Sequence, residues 1–196
     1  MQMKKSFSRF FLAFLCCAAL AYPLAGCAAA EEEEPLSECR DAEEITELLY
    51  ASNDRDRYFN YGFPVTEESV EDALKTGSRY GRVDSEEFQA LSQIQEYFLE
   101  VYTEDYCEKL QLWTGEDPRW KEEDGILFQS LADGIYSPVT EENLEDSTIL
   151  YQGDDKITAR IYFDSQIDDT KYVMEYTLIR TKEGLRIEDR VVEVQD

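Results

Sequence analysis

The sequence predicts an α+β fold, with helices in the first half of the chain and a curved antiparallel sheet in the second. Two observations carry this expectation. As far as Trp113 the apolar residues recur at intervals of three and four behind residues suited to helix N-termini. Beyond Arg119 they alternate with polar residues between turn signals. The chain of 196 residues shows no internal repeat and no second shift of composition after its N-terminal segment, so residues 37–196 are expected to form a single domain. A chain of this size buries about two thirds of its unfolded surface and needs neither metal nor disulfide to fold.

Each helix has its own signature. Asp41 is placed to cap a helix that carries Ile45, Leu48, Leu49 and Ser52 on one stripe. Thr66 precedes a shorter helix, 67–75, which would turn Val70, Ala73 and Leu74 inward and end at Gly77. Residues 78–83 read as extended. Ser85 is placed to cap a long helix with Phe88, Leu91, Ile94, Phe98 and Val101 on one stripe. Thr103 caps the next, where Glu104 and Asp105 meet the helix dipole and Tyr106, Leu110 and Trp113 supply the apolar side. The aromatic cluster Tyr58, Phe59, Tyr61 and Phe63, with Tyr80 beyond, fits neither a helix stripe nor a strand alternation. Asn60, Gly62 and Pro64 argue for a loop there. Such aromatics either present a surface for a binding partner or fold back to cap the core.

The strands follow from turn chemistry. Asp124-Gly125 divides 119–122 from 126–129 as a hairpin. A strand at 147–152 runs into Gly153, Asp154 and Asp155. Ile157, Ala159, Ile161 and Phe163 then alternate with Thr158, Arg160 and Tyr162. Tyr172, Met174, Tyr176 and Leu178 alternate with Val173, Glu175 and Thr177. Lys182, Glu183 and Gly184 turn into a last strand, 185–194, whose apolar phase slips from Leu185 and Ile187 to Val192 and Val194. With a side-chain period of two, the slip requires a bulge or a sharp bend, expected near residues 189–191.

At the N-terminus, Lys4, Lys5 and Arg9 precede an apolar run, 10–24, too short to span a bilayer, and Leu24, Ala25, Gly26 and Cys27 close it. This segment resembles the lipobox of bacterial lipoproteins, in which the cysteine thiol receives a diacylglyceryl group and the chain is cut just before it. The resemblance implies that residues 1–26 are a signal peptide, that Cys27 is lipidated, and that the protein is held at the extracytoplasmic face of the cell membrane. Two acyl chains suffice for stable anchoring. Residues 27–36 then form a tether, of which 28–35 reach roughly 26–29 Å when extended.

Composition excludes several activities. The formal net charge is −25, and cleavage would remove three basic residues and no acidic one, taking it to −28. Such a field disfavours nucleic acid and anionic lipid or wall polymers and favours cationic partners or metal counterions, unless it serves only solubility as a solvated acidic surface. With no histidine in the chain, Ser–His and Cys–His nucleophile pairs, imidazole zinc sites and the usual general base near neutral pH are all excluded. No Gly-x-Ser-x-Gly, Ser-x-x-Lys, phosphate-loop or dinucleotide-glycine motif occurs. No cofactor and no metal is expected. Asp54-Arg55-Asp56 begins like a calcium loop, but Tyr58 and Phe59 stand where that loop wants an acidic residue and a glycine, and Asp164, Asp168 and Asp169 lack the alternating spacing. Cys16 and Cys17 leave with the signal. Cys39 and Cys107 remain, either bridged, as an exported protein allows, or with Cys107 as a small buried apolar residue.

Residues 88–194 resemble the cystatin/NTF2-like group, in which a strongly curved antiparallel sheet wraps around helices as a cone. The helix pair 94–110, the segment 120–128 and the terminal hairpins are similar to lipid-anchored or secreted proteins related to inhibitors of cell-wall DL-endopeptidases, the IseA-like group. The resemblance implies a non-enzymatic binding module without catalytic residues, which inhibits a wall hydrolase and meets cationic or wall-associated proteins. The alternative is a small-ligand-binding protein, or an isomerase or hydrolase, with an acidic pocket in which an aspartate and a tyrosine act together. An enclosed cavity over a desolvated carboxylate would favour the alternative. An interior filled by Phe98, Phe163, Met174 and Tyr176 would favour the binding module.

Overall fold

The computed structural model describes residues 34–132, 144, 147–152, 156–164 and 170–195, all within the unit that spans 32–196. Residues 1–33, with Cys27 and most of the tether, lie outside the described residues, as do Gly153, Asp154, Asp155, Asp168 and Asp169. The elements run β1 (Glu34–Pro35), α1 (Ala42–Tyr61), α2 (Glu67–Thr76), β2 (Tyr80–Arg82), α3 (Leu91–Leu99), α4 (Glu104–Lys109), β3 (Trp120–Glu123), β4 (Ile126–Ser130), β5 (Thr148–Gln152), β6 (Lys156–Asp164), β7 (Lys171–Thr181) and β8 (Gly184–Val194). The class is α+β. The strands form two sheets where the sequence suggested one: a five-stranded sheet in the order β1-β5-β6-β7-β8 and a three-stranded sheet in the order β2-β4-β3. Every pairing within them is antiparallel.

Helix α1 begins where expected but runs through Tyr61. Its buried stripe is Ile45, Leu48, Leu49, Ser52, Asp56 and Phe59, a continuous 3.6-residue periodicity whose second half is disguised by polar residues. Of the segment expected to be a loop, Tyr58 to Tyr61 are therefore the last turn of the helix, and 62–64 lie beyond it. Gly62 ends it at φ 75°, its N–H donating to the Tyr58 carbonyl. Asp41 stands at the N-cap position without making the side-chain cap bond, and accepts instead from Arg180 at 2.8 Å.

Thr66 caps α2 through its hydroxyl, which accepts from the Ser69 N–H at 3.3 Å, and Gly77 ends it. Of the three residues expected to turn inward, Ala73 is buried and Leu74 is exposed, because the helix is ten residues long and packs mainly on the three-residue strand β2. Ser85 caps a single turn only, accepting from the N–H groups of Glu87 and Phe88. Helix α3 starts at Leu91, where Gln93 Oε1 accepts from the N–H groups of Gln89 and Ala90 and Glu122 accepts from that of Leu91. Phe88, Ile94, Phe98 and Val101 nonetheless all reach the core. The Thr103 hydroxyl caps α4 at the Tyr106 N–H.

In the three-stranded sheet, Asp124 (φ 52°) and Gly125 (φ 74°) make the expected two-residue turn between β3 and β4, both left-handed as such a hairpin requires. In the five-stranded sheet, Ile157, Ala159, Ile161 and Phe163 of β6, Met174, Tyr176 and Leu178 of β7, and Leu185 and Ile187 of β8 share the buried face. The register of β8 against β7 shifts between the pairs Leu178–Ile187 and Thr177–Asp189, so that Glu188 is the extra, bulged residue. The bulge lies just ahead of the predicted span. It changes which residues follow Leu185 and Ile187 on the inner face. In place of Asp189 and Val191 these are Arg190, Val192 and Val194, opposite Tyr176, Met174 and Tyr172.

Candidate functional site

The bulge at Glu188 turns the charged Arg190 side chain into the core. There it forms an ion pair with Asp56, which the α1 stripe delivers from the other side; the two side chains are 9% and 6% exposed. The Tyr102 hydroxyl, from the link between α3 and α4, lies 3.2 Å from Asp56 Oδ1 and 3.0 Å from Ser52 Oγ. The Tyr106 and Tyr176 hydroxyls also lie within the field of Arg190. Burial is the main cause that pushes the hydroxyls of Tyr102, Tyr106 and Tyr176 above the usual tyrosine value, with the positive charge of Arg190 opposing it. Burial alone would depress the Arg190 guanidinium. Asp56, helped by the three tyrosines, outweighs it and holds the group above its ordinary value.

Asp56 thus accepts through both oxygens, one from Tyr102 and one from Arg190. The aspartate–tyrosine pairing that proton-moving enzymes use is present, but an arginine occupies the carboxylate. Around it the interior is filled: Phe98, Phe163, Met174 and Tyr176 are all buried. The arrangement neutralises a charge pair inside the fold and ties α1 to the last strand.

The aromatic cluster is divided by the helix it belongs to. Phe59 and Phe63 are buried and Tyr58 is partly so, while Tyr61 is 74% exposed. Tyr58 packs on Phe63 with ring centroids 4.6 Å apart, and Phe63 in turn packs on Phe88 and Trp120. The four residues are therefore no common outward surface; they fold back onto the core, and Tyr61 alone stays outside. Phe63 is further held by Gln129, whose side-chain amide accepts from the Phe63 N–H at 2.7 Å and donates to the Phe63 carbonyl at 2.6 Å. At Gly62 an added Cβ would come within 2.6 Å of that same amide. Tyr80 donates its hydroxyl to the Pro118 carbonyl.

Asp54 and Asp56, considered above as the start of a calcium loop, both lie on α1. Asp54 accepts from the Tyr97 hydroxyl, and the Arg55 guanidinium stacks 3.8 Å above the Tyr97 ring. Among the described residues no group of three or more acidic or cysteine side chains is arranged to hold a metal ion. Cys39 and Cys107 are both thiols, joined by no disulfide. Burial pushes the Cys107 thiol up to about 12, and Cys39 Sγ accepts from the Asp41 N–H.

Sequence reasoning missed Gln129 and Arg190. Each left one signal: a long polar side chain standing in the inward phase of a strand, after Leu127 in β4 and after the slipped phase in β8. Outside, an open groove of about 240 Å³ between α1 and the β7–β8 turn is lined by Glu44, Glu47, Glu100 and Glu183 with Arg55 and Arg186. No family model matches this chain, and no curated protein matches it.

Proposed function

We propose that this protein is a lipid-anchored extracytoplasmic binding module, built as a cystatin/NTF2-like cone, that binds a cationic, wall-associated protein and inhibits a cell-wall hydrolase. The observation that carries the proposal is the filled interior. Phe98, Phe163, Met174 and Tyr176 are buried on or under the sheet, and the buried carboxylate of Asp56 is committed to Arg190 and Tyr102. Recognition then falls to the exterior and to the net charge, −25 for the whole chain and −28 once residues 1–26 are removed. That field raises the rate of encounter with a basic groove and loses its effect as salt screens it.

The test pairs the purified full-length protein with basic cell-wall hydrolases and follows both wall digestion and association rate. Digestion is expected to slow in proportion to the protein added, and association to slow steeply as salt is raised. Undiminished digestion at low salt, with no complex formed, refutes the proposal.

A further inference from the structure

Among the described residues, the second half of β8 is an open edge. β8 ends the five-stranded sheet, and its first half is completed by the chain between α3 and α4. There the Ile187 N–H donates to the Val101 carbonyl at 2.9 Å, and the Thr103 N–H donates to the Ile187 carbonyl at 3.0 Å. The backbone pairing stops at Thr103, where the chain turns into α4, and α4 packs on β8 only as far as Asp189, whose carboxylate accepts from Lys109 at 2.6 Å. Beyond the bulge, the Gln195 N–H donates to the Lys171 carbonyl at 2.8 Å. Antiparallel alternation therefore turns the backbone groups of Asp189, Val191 and Glu193 towards β7, and those of Arg190, Val192 and Val194 towards the open side. The Arg190 N–H is taken by the Asp189 carboxylate at 2.8 Å. The outward N–H and C=O groups of Val192 and Val194 have no backbone partner among the described residues.

Natural edge strands are blunted by proline, by lysine, by inward-pointing charge or by a bulge within the exposed stretch. None of these protects residues 191–195. The bulge lies ahead of them, the inward charge of Arg190 is cancelled by Asp56, and the stretch holds neither proline nor lysine. It presents Val191, Val192 and Val194, which are 46%, 47% and 60% exposed. In strand addition an unpaired backbone edge supplies the main-chain hydrogen bonds, and contacts with alternate side chains supply the specificity.

We infer that the 190–194 edge of β8 takes up an extended segment of the partner as a sixth strand, with apolar residues alternating with lysine or arginine. On the inner face its side chains meet Val192 and Val194. On the outer face they meet Val191 and Glu193, where an opposite charge directly across is favourable. The net charge of −25 selects a cationic segment over a second copy of this chain, since a pair of copies would bring two such fields together. The inference rests on the binding role proposed above and names its surface.

The experiment uses the full-length protein and a synthetic ten-residue peptide of alternating valine and lysine, with a valine–glutamate peptide as control. Hydrogen exchange is read residue by residue. The lysine peptide is expected to slow exchange at Val192 and Val194 by roughly tenfold or more, and the glutamate peptide to leave it unchanged. Val192→Pro removes an outward-facing N–H, and Val192→Lys sets a charge in place of an apolar side chain against the peptide's inner-face valines, with the backbone kept intact. Both are expected to weaken binding about tenfold with the thermal midpoint retained. Peptide binding with these amides unchanged, or with Val192→Lys binding as the parent does, overturns the edge and leaves the binding role standing. Binding to no cationic peptide and no wall hydrolase overturns the role beneath it. Protection of the two amides that rises with protein concentration alone makes the edge a self-interface and overturns the proposed occupant.

Discussion

Replacing Arg190 with methionine removes the cation from a pair whose side chains are 9% and 6% exposed. The methionine fills most of the arginine stem's volume, so the loss is chiefly electrostatic. Asp56 keeps the Tyr102 hydroxyl as a partner but no longer faces a positive charge. Stranding one member of a buried pair costs about 3–5 kcal/mol, a large share of the ~5–15 kcal/mol total typical of a domain. The thermal midpoint should fall by roughly 6–20 °C. The exposed pair Arg79–Asp117 gives the comparison: Arg79→Met should cost about 0–1 kcal/mol. The double variant Asp56→Leu/Arg190→Met removes both charges and should recover most of the loss, because desolvating two ions offsets most of their attraction. Urea unfolding followed by far-ultraviolet circular dichroism reads all four proteins, with an unchanged slope as the sign that the unfolded state is the same. Arg190→Met within about 1 kcal/mol of the parent, or a double variant no better than the single, would refute the role given to this pair.

Tyr102, Tyr106 and Tyr176 are held above the usual tyrosine value of 10.0 in the folded state. Their contribution is fully present below pH 10, and above it the unfolded chain releases protons that the folded chain retains. Stability should therefore fall as pH rises, by about 1.4 kcal/mol per pH unit for each tyrosine, and Tyr176→Phe should make the alkaline unfolding curve shallower. Phe63→Ala should cost about 3–5 kcal/mol, whereas Tyr61→Ser, at an exposed site, should stay within about 0.5 kcal/mol; equal costs would contradict the division of the aromatic cluster. Gln129→Leu strands the N–H and C=O of Phe63 in the core and should cost about 1–3 kcal/mol or more in chemical denaturation. Iodoacetamide at pH 8 should modify Cys39 in the folded protein and reach Cys107 only after denaturation, since Cys107 is fully buried and its thiol sits near 12; mass spectrometry of the two peptides decides.

Local signals carried much of the fold. Thr66, Gly77, Thr103 and Asp124-Gly125 act through bonds within three or four residues, and each does in the structure what its position implied. The strict alternation of β6 and β7 was readable because their buried face is wholly apolar along Ile157–Phe163 and Met174–Leu178. What failed depended on distant partners. Ser52 looks like the end of the α1 stripe, and Asp56 like a residue beyond it, until Tyr102 and Arg190 are found opposite them. Leu74 looks like a core residue until the small strand it would have covered proves too short. The aromatic cluster reads as a loop because Asn60, Gly62 and Pro64 punctuate it, yet Asn60 lies on the helix and only 62–64 lie beyond it. The buried ion pair itself had one trace in the sequence, the slipped phase of the last strand. That slip gave the bulge but not the identity of the residue it would turn inward, nor the carboxylate 134 positions away that receives it.

Those separations make the first long helix and the last hairpin complete each other. Asp41 reaches Arg180, Glu44 holds both Arg180 and the Leu185 N–H, and Asp56 reaches Arg190, across 139, 136, 141 and 134 positions of chain. A polypeptide made from its N-terminus therefore carries an unneutralised carboxylate on the buried stripe of α1 until Arg190 has been added. A product that stops before Arg190 has no way to cancel that charge, and its helix cannot settle on a sheet that lacks its last strand. Strand β8 is thus what lets helix α1 close onto the sheet.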